Sequence, residues 1–241
     1  MDINRAFRFV FEDRQWISKL LIGVLMSVLA FFILPALILQ GYMVSIVRRV
    51  MNQDGEPLPE WTDWGKLLKD GFFVTIATLI WTLPFLIVLF IGIAATIGFG
   101  NLSNESLAAA GASGAGLLVA CLGILFVVAL LFITPAIYIQ YAIKDEFGAC
   151  FRFGEILDII RSHLADILIA FLVTIVAGIA ISLVVGLLGI IPCLGWIAAF
   201  LIGLAVGPYI TFVTGHLYGQ IAAKVLGNKT GGYLPKEPGT L

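Results

Sequence analysis

The chain of 241 residues is 61% hydrophobic and only 12% charged, with a mean hydropathy of +1.07 and a formal net charge of −1. A soluble domain is about half apolar and a quarter charged, so an excess this large, gathered into runs of ~20 residues or more, excludes a water-soluble fold and makes lipid the solvent. The three cysteines, Cys121, Cys150 and Cys193, are too few and too scattered for a disulfide framework or a metal cluster.

Ile3, Phe7, Val10 and Phe11 recur at helical spacing while Asp2, Arg5, Arg8, Glu12 and Asp13 take other faces. That pattern predicts an interfacial amphipathic helix over residues 1–16 rather than a secretory signal. The first apolar segment runs from Leu20 to about Val47, with Pro35 and Gly41 inside it. A polar stretch follows in which residues 58–70 read as a surface helix, with Trp61 and Trp64 as anchors in the headgroups. The second span covers Phe72 to about Ile97, Asn101 to Gly116 is a small flexible connection, and the third span runs from Leu117 to Tyr141. Residues 145–166 form another surface helix or helix pair. The fourth span, Ile167 to about Leu188, is joined by the tight turn GIIPCLGW to the fifth, Trp196 to about Tyr218, and residues 227–241 read as a flexible tail. The fold class is therefore all-α: one polytopic helical membrane domain over 1–226 with about five spans.

Every Lys and Arg lies outside two long stretches, Asp70 to Ile143 and Ser162 to Ala223. Basic loops face the cytoplasm, which orients spans two to five without strain and suggests an inner or plasma membrane. The first segment conflicts with the rule. If it crosses once, Arg5, Arg8, Arg14 and Lys19 lie outside; if it returns at Pro35 as a re-entrant hairpin, all the basic residues lie inside. Re-entrant backbone needs burial against protein, and FFILPALI offers no polar side chain to close a turn. The likeness among three proline-bearing segments tips the reading narrowly to one kinked crossing.

Those segments are LPALILQGY, TPAIYIQYA and GPYITFVTG, carrying Pro35, Pro135 and Pro208. Proline kinks a helix and frees a carbonyl. Gln40 and Gln140, five residues after the first two prolines, either bond across helices near the kinks or mark the headgroup boundary. With Arg48 and Lys144 close behind, snorkelling favours the boundary. Gly178, Ser182 and Gly186 recur every four residues, as do Ala199, Gly203 and Gly207, with a shorter pair at Gly23 and Ser27. Small residues so spaced let helices approach closely, and the fourth and fifth spans are expected to pack as an antiparallel hairpin.

No ionisable residue sits in the middle of a span, as proton- or ion-coupled transport usually requires. The two histidines, His163 and His216, come without a carboxylate motif, and His216 reads as a satisfied polar residue near the inner surface. No nucleophile set or metal motif is present, so neither catalytic residues, metal nor cofactor is expected, nor an enzyme.

The run GYMVSIVRRVMNQDGEPLPEWTDWGKLLKDG carries the most distinctive pattern: Gly41 and Tyr42, the spaced Arg48 and Arg49, and the LPEWTDW block with Pro59, Trp61 and Trp64, then a glycine. With PAIYIQYAIKDEFGACFRFGEI and GHLYGQ further on, it resembles the domain of unknown function 4013 family over nearly the whole chain. The resemblance implies a multi-pass prokaryotic membrane protein with no established activity, and carries over no site residues. The LPEWTDW block itself reads either as a clasp joining the first two spans or as a docking surface, with Glu60, Asp63 and Asp70 toward water; weak exposed ion pairs favour the clasp. The expected function is a non-enzymatic scaffold or accessory subunit that binds membrane lipids or another membrane protein. The alternative is a small permease or channel for an uncharged or weakly charged solute, its path lined by threonines. Nucleic acid is not an expected partner, and nothing in the sequence indicates a homo-oligomer.

Overall fold

A computed structural model describes residues 1–54 and 57–229. Among these residues eight α-helices follow one another: α1 (Ile3–Glu12), α2 (Trp16–Val28), α3 (Ile33–Asn52), α4 (Trp64–Gly100), α5 (Glu105–Lys144), α6 (Phe153–Ser162), α7 (Leu164–Leu188) and α8 (Leu194–Lys229). Among the described residues there is no strand. Five of the helices, α3, α4, α5, α7 and α8, are long and apolar enough to cross a membrane, so the chain is an all-α polytopic membrane protein. Asp63 starts α4 by accepting the Lys66 amide, and Asn104 starts α5 by accepting that of Leu107. Polar caps of this kind satisfy amides that a helix end leaves unpaired.

The first apolar segment is not one kinked helix. Lys19 on α2 and Tyr42 on α3 would stand ~35 Å apart along a single helix at ~1.5 Å per residue. Instead both hold the same indole. The Trp61 ring stacks on Tyr42 with centroids 3.8 Å apart, and its Nε1–H donates to the Lys19 carbonyl at 3.1 Å. Gly23 and Tyr42 likewise both lie against Phe212 of α8. Helices α2 and α3 therefore form an antiparallel hairpin. Its tip is a short 3₁₀ turn, Leu29–Phe31, closed by the Phe32 amide donating to the Leu29 carbonyl at 2.8 Å. The expectation of a single crossing kinked at Pro35 is overturned. Pro35 falls in the first turn of α3, where a missing N–H is no loss because that donor would have no intrahelical partner. Of the first amides of α3, only those of Ile33 and Leu34 then call for one. The Phe32 bond and the missing donor of Pro35 thus lower the demand that no side chain in FFILPALI could meet.

Phe31 at the tip is 91% exposed. From Lys19 to Phe31 the limb rises ~18 Å, about half of a ~30 Å hydrocarbon core. α1 is bent by 101° from the α2 limb and packs on α8 through Tyr209, whose hydroxyl donates to the Phe7 carbonyl. With the hairpin returning, the described basic residues gather at one end of the bundle, and the conflict in charge placement disappears.

Glycines set how closely the helices meet there. A Cβ on Gly41 would lie 1.8 Å from the Leu67 carbonyl oxygen, and one on Gly71 would lie 1.7 Å from that of Leu37. Backbone touches backbone where α3 crosses α4. On α8, a Cβ at Gly219 would meet Val50 at 2.5 Å and one at Gly215 would meet Ile46 at 3.2 Å, so these two residues form the working small-residue face toward α3. Gly23 and Ser27 do pack on α8, against Pro208, Phe212 and Gly207. The stripe Gly178–Ser182–Gly186 and Gly203 do not close the α7–α8 hairpin, since added Cβ atoms at Gly178, Gly186 and Gly203 meet nothing within 4 Å. That hairpin is joined at its turn, where Gly195 presses on the Leu188 carbonyl and Trp196 donates to the Gly189 carbonyl, and along its length by Thr174 beside Thr214 and Lys224 on Asp166.

Three boundaries differ from expectation. Residues 58–70 are no separate surface helix, because α4 starts at Trp64 and runs on to Gly100. The connection after α4 is only residues 101–104, and most of the small-residue stretch is helical as the start of α5. α8 continues to Lys229, and the remainder of the expected tail lies outside the described residues. The surface segment 145–166 is the expected pair of pieces, a 3₁₀ stretch over Phe147–Phe151 followed by α6. Burial concentrates at the basic end: Asp70 to Ala77 on α4, Pro135 to Ala142 on α5, Ile167 and Ala170 on α7, and Phe212 to Val225 on α8. Beyond it, α4 pairs with α5, Phe85 stacking on Phe126 at 4.5 Å, and α7 pairs with α8, leaving broad apolar flanks.

Candidate functional site

The polar groups that the sequence places around the ends of helices converge into one layer at the basic end. Its first part is built by four consecutive residues, Leu58 to Trp61, each with a separate task. Leu58 donates its amide to Asp13 and its carbonyl accepts from the Lys19 ammonium at 3.0 Å. The Pro59 carbonyl accepts the Tyr42 hydroxyl at 2.9 Å. Glu60 pairs with Lys19 at 2.7 Å, and Trp61 joins Tyr42 to Lys19 as described. Lys19 also donates to Asp13 at 2.8 Å, and both side chains are almost fully buried. Burial opposes ionisation of Asp13, but the Lys19 ammonium and the amides of Gln15 and Leu58 hold its carboxyl below the usual carboxylate range. The block is therefore a clasp between the α1–α2 corner and α3. Trp61 is 6% exposed and belongs to the clasp rather than to the headgroups, whereas Trp64, at 42%, keeps an outward face.

The second part centres on Arg48. Its guanidinium bonds the Asp70 carboxylate, donates to Asp145 at 2.7 Å and to the Ala142 carbonyl at 3.4 Å, and lies over the Tyr141 ring. Asp70 accepts the Tyr141 hydroxyl at 2.7 Å as well. One arginine thus ties α3, α4 and α5 together. Asp70 is 1% exposed, so the expectation that it faces water is wrong. Removal of its charge from water is compensated by two donors aimed at it.

Gln40 and Gln140 both bond between elements, against the boundary reading. The Tyr138 hydroxyl donates to Gln40 Oε1 at 2.7 Å, joining α3 to α5. Gln140 is fully buried and donates to Glu155 on α6, while its Oε1 has no hydrogen-bond partner among the described residues. That hydrogen bond, together with Arg152, draws the Glu155 carboxyl below its ordinary value. Pro135 and Pro208 lie within continuous helices, and Pro208 packs against Gly23. His216 is 5% exposed, its Nδ1 3.1 Å from Gln220 Nε2 and its ring against Phe9, the satisfied polar residue expected. Burial pushes the Cys150 thiol up to about 11.

Between the last turns of α3 and the first of α4 a cavity of about 330 Å³ opens, lined by Ser45, Arg48, Arg49, Asn52, Thr62 and Lys66 together with Asp54, Pro59, Glu60, Asp63 and Leu67. Among the described residues no group of three His, Cys, Asp or Glu side chains is placed to hold a metal ion. The sequence reading missed Asp13, Lys19 and Tyr141. The one legible signal was Lys19, a cation immediately before the first apolar segment whose nearest acids in sequence, Glu12 and Asp13, lie six or seven residues upstream.

Comparison with curated proteins and with solved structures finds no match. Residues 22–193, well over half of the chain, match the family described as Protein of unknown function (DUF4013), and the match takes in the Leu58–Trp61 side of the clasp, the Arg48 node and the glycine crossing of α3 with α4, while Asp13 and Lys19 precede it. The chain belongs to the DUF4013 family.

Proposed function

We propose that the protein is a non-enzymatic scaffold or accessory subunit of the inner or plasma membrane, its basic end toward the cytoplasm, binding lipid or another membrane protein. One observation carries this reading: the polar groups are spent on holding the bundle together. Several of the hydroxyls that would line a solute path bond back to their own helices. Thr78 donates to Val74, Thr82 to Thr78, Thr96 to Gly92, Thr174 to Ala170 and Thr211 to Gly207, each at 2.8 to 3.0 Å. A threonine bonded in this way contributes little to a polar lining. The flanks of α4–α5 and α7–α8 beyond the sealed layer are large apolar surfaces of the kind that meet lipid or a second membrane protein.

The permease reading rests on the broken α2–α3 hairpin, a feature that borders binding sites in transporters. Two measurements separate them. Purification in mild detergent followed by mass spectrometry is expected to recover a reproducible lipid or protein partner, and proteoliposomes are expected to leak no faster than empty vesicles across a broad solute panel. Flux without any co-purifying partner would replace the scaffold by the permease.

A further inference from the structure

We infer that the protein is a wedge that sorts to curved membrane, favouring a lipid surface that is convex on the side of the basic end. This adds a preference of shape to the lipid-binding half of the proposed function and rests on it. The two leaflets must make room for different numbers of helices. At the basic end six long segments lie together, α2, α3, α4, α5, α7 and α8. The α2–α3 hairpin then stops. A Cβ on Gly207 would lie 3.9 Å from Ser27 Oγ, so these two residues stand at one level. The tip at Phe31 is ~6 Å further on, whereas α8 continues ~20 Å from Gly207 to Leu194, at ~1.5 Å per residue. α8 therefore outruns the hairpin by ~14 Å, about half of a ~30 Å hydrocarbon core. On the other flank, Leu37 crosses Gly71 ~9 Å short of the tip. Phe85, Gly92 and Phe99 of α4 stand ~21 Å or more past the same crossing, against Phe126, Val119 and Gly111 of α5.

Among the described residues, the leaflet at the basic end thus holds six segments and the other leaflet four. A helix ~10–12 Å across occupies ~100 Å², so the difference is ~200 Å². The exposed Leu21, Leu25 and Val28 along α2 set lipid around the hairpin. α1 and α6 widen the same side. Tyr209 holds α1 by the Phe7 carbonyl and Gln140 holds α6 by Glu155, while Phe11 and Phe153 stay exposed, placed to enter the headgroup boundary of that leaflet. The far end carries only the short connections 101–104 and 189–193. A body wider in one leaflet fits best where that leaflet is expanded, which is the convex face.

The test uses the full chain with Cys121→Ala, labelled with a dye at Cys193 in the α7–α8 turn, the end away from the basic residues. It is reconstituted in both orientations into giant vesicles of phosphatidylcholine with phosphatidylglycerol, from which narrow tubes are pulled outward. An impermeant quencher added outside silences chains with Cys193 outward, so the remaining fluorescence reports chains whose basic end lies on the convex face. Those chains are expected to be enriched on the tube at least ~twofold over the vesicle, and the silenced ones, read by difference, to be depleted. Phe31→Asp puts a carboxylate at the exposed tip, draws it toward the headgroups and is expected to bring the ratio toward one, whereas Phe31→Leu keeps it. Tm checks that both variants are folded, and the comparison of the two orientations stands without them. Equal ratios for the two orientations, enrichment of the silenced chains instead, or a folded Asp variant that sorts as wild type does would overturn the wedge. A chain that does not sort yet still co-purifies with a lipid or protein would leave the scaffold function standing without it.

Discussion

Replacing Gly41 by alanine tests the close crossing of α3 and α4. The new Cβ would start 1.8 Å from the Leu67 carbonyl oxygen, whereas carbon and oxygen settle at ~3.3 Å or more, so the helices must part by about 1.5 Å. No rotamer change relieves a clash with main chain. A gap of ~1 Å already forfeits up to half the dispersion energy of the contacts it opens, and overpacking of this kind costs ~3 kcal/mol at the upper end of its usual range. Alanine's better helix propensity returns ~1 kcal/mol, leaving a net loss of about 2 kcal/mol. Gly178→Ala is the control, since its Cβ meets nothing within 4 Å, and it should be neutral or slightly stabilising. Equilibrium unfolding of both variants in bicelles reads the difference. A Gly41→Ala protein within ~0.5 kcal/mol of wild type, the scatter of a surface change, would refute the crossing.

Asp70→Ala leaves the Tyr141 hydroxyl without its acceptor and Arg48 with only Asp145 and the Ala142 carbonyl, and should cost ~1–3 kcal/mol, the range for an unpaired buried polar group, read by the same unfolding assay; a loss within ~0.5 kcal/mol would contradict the node. Asp13 has a depressed folded pKa, so its stabilisation is complete above its unfolded value of ~3.9 and is lost as pH falls through the lower folded value. Tm followed from neutral pH downward should therefore drop through that acid window in wild type, with a smaller drop in Asp13→Asn. A maleimide should modify Cys193, exposed in the α7–α8 turn, while Cys150, fully buried with its thiol held protonated, stays unmodified until the protein unfolds. Mass spectrometry of the labelled peptides checks it.

Spans two to five were legible because a ~20-residue apolar run and its charged flanks have few other physical meanings; their ends were not, since the helices run on beyond the apolar residues. The hairpin was not. LPALILQGY and TPAIYIQYA carry the same proline, yet Pro35 opens a returning helix and Pro135 sits within a continuous one. The difference lies upstream, in whether the chain arrives at proline already committed to a helix, and that is set by tertiary contacts of Gly23 and Tyr42 with Phe212. The clasp was visible as a motif but not as a set of partners. Lys19 and Leu58 are separated by a whole hairpin, and no local pattern announces that Asp13 and Glu60 will share one ammonium. Gln40 and Gln140 were misjudged for the same reason, since their partners Tyr138 and Glu155 lie on other elements. Small-residue spacing was a sound signal that held for Gly23 and Ser27 but failed for Gly178, Gly186 and Gly203, while Gly215 and Gly219 obey it and the helix that fills their groove is α3.

The α2–α3 hairpin returns to the side from which it entered, and the gathering of the basic residues at one end depends on that return. Sided labelling of single cysteines at Glu12, Thr62 and Ser103, all exposed, in a chain whose three native cysteines are replaced, tests this in sealed vesicles. Glu12 and Thr62 should react from one side and Ser103 from the other. Labelling of Glu12 from the side of Ser103 would mean that the first apolar segment crosses the bilayer, and the hairpin would be wrong.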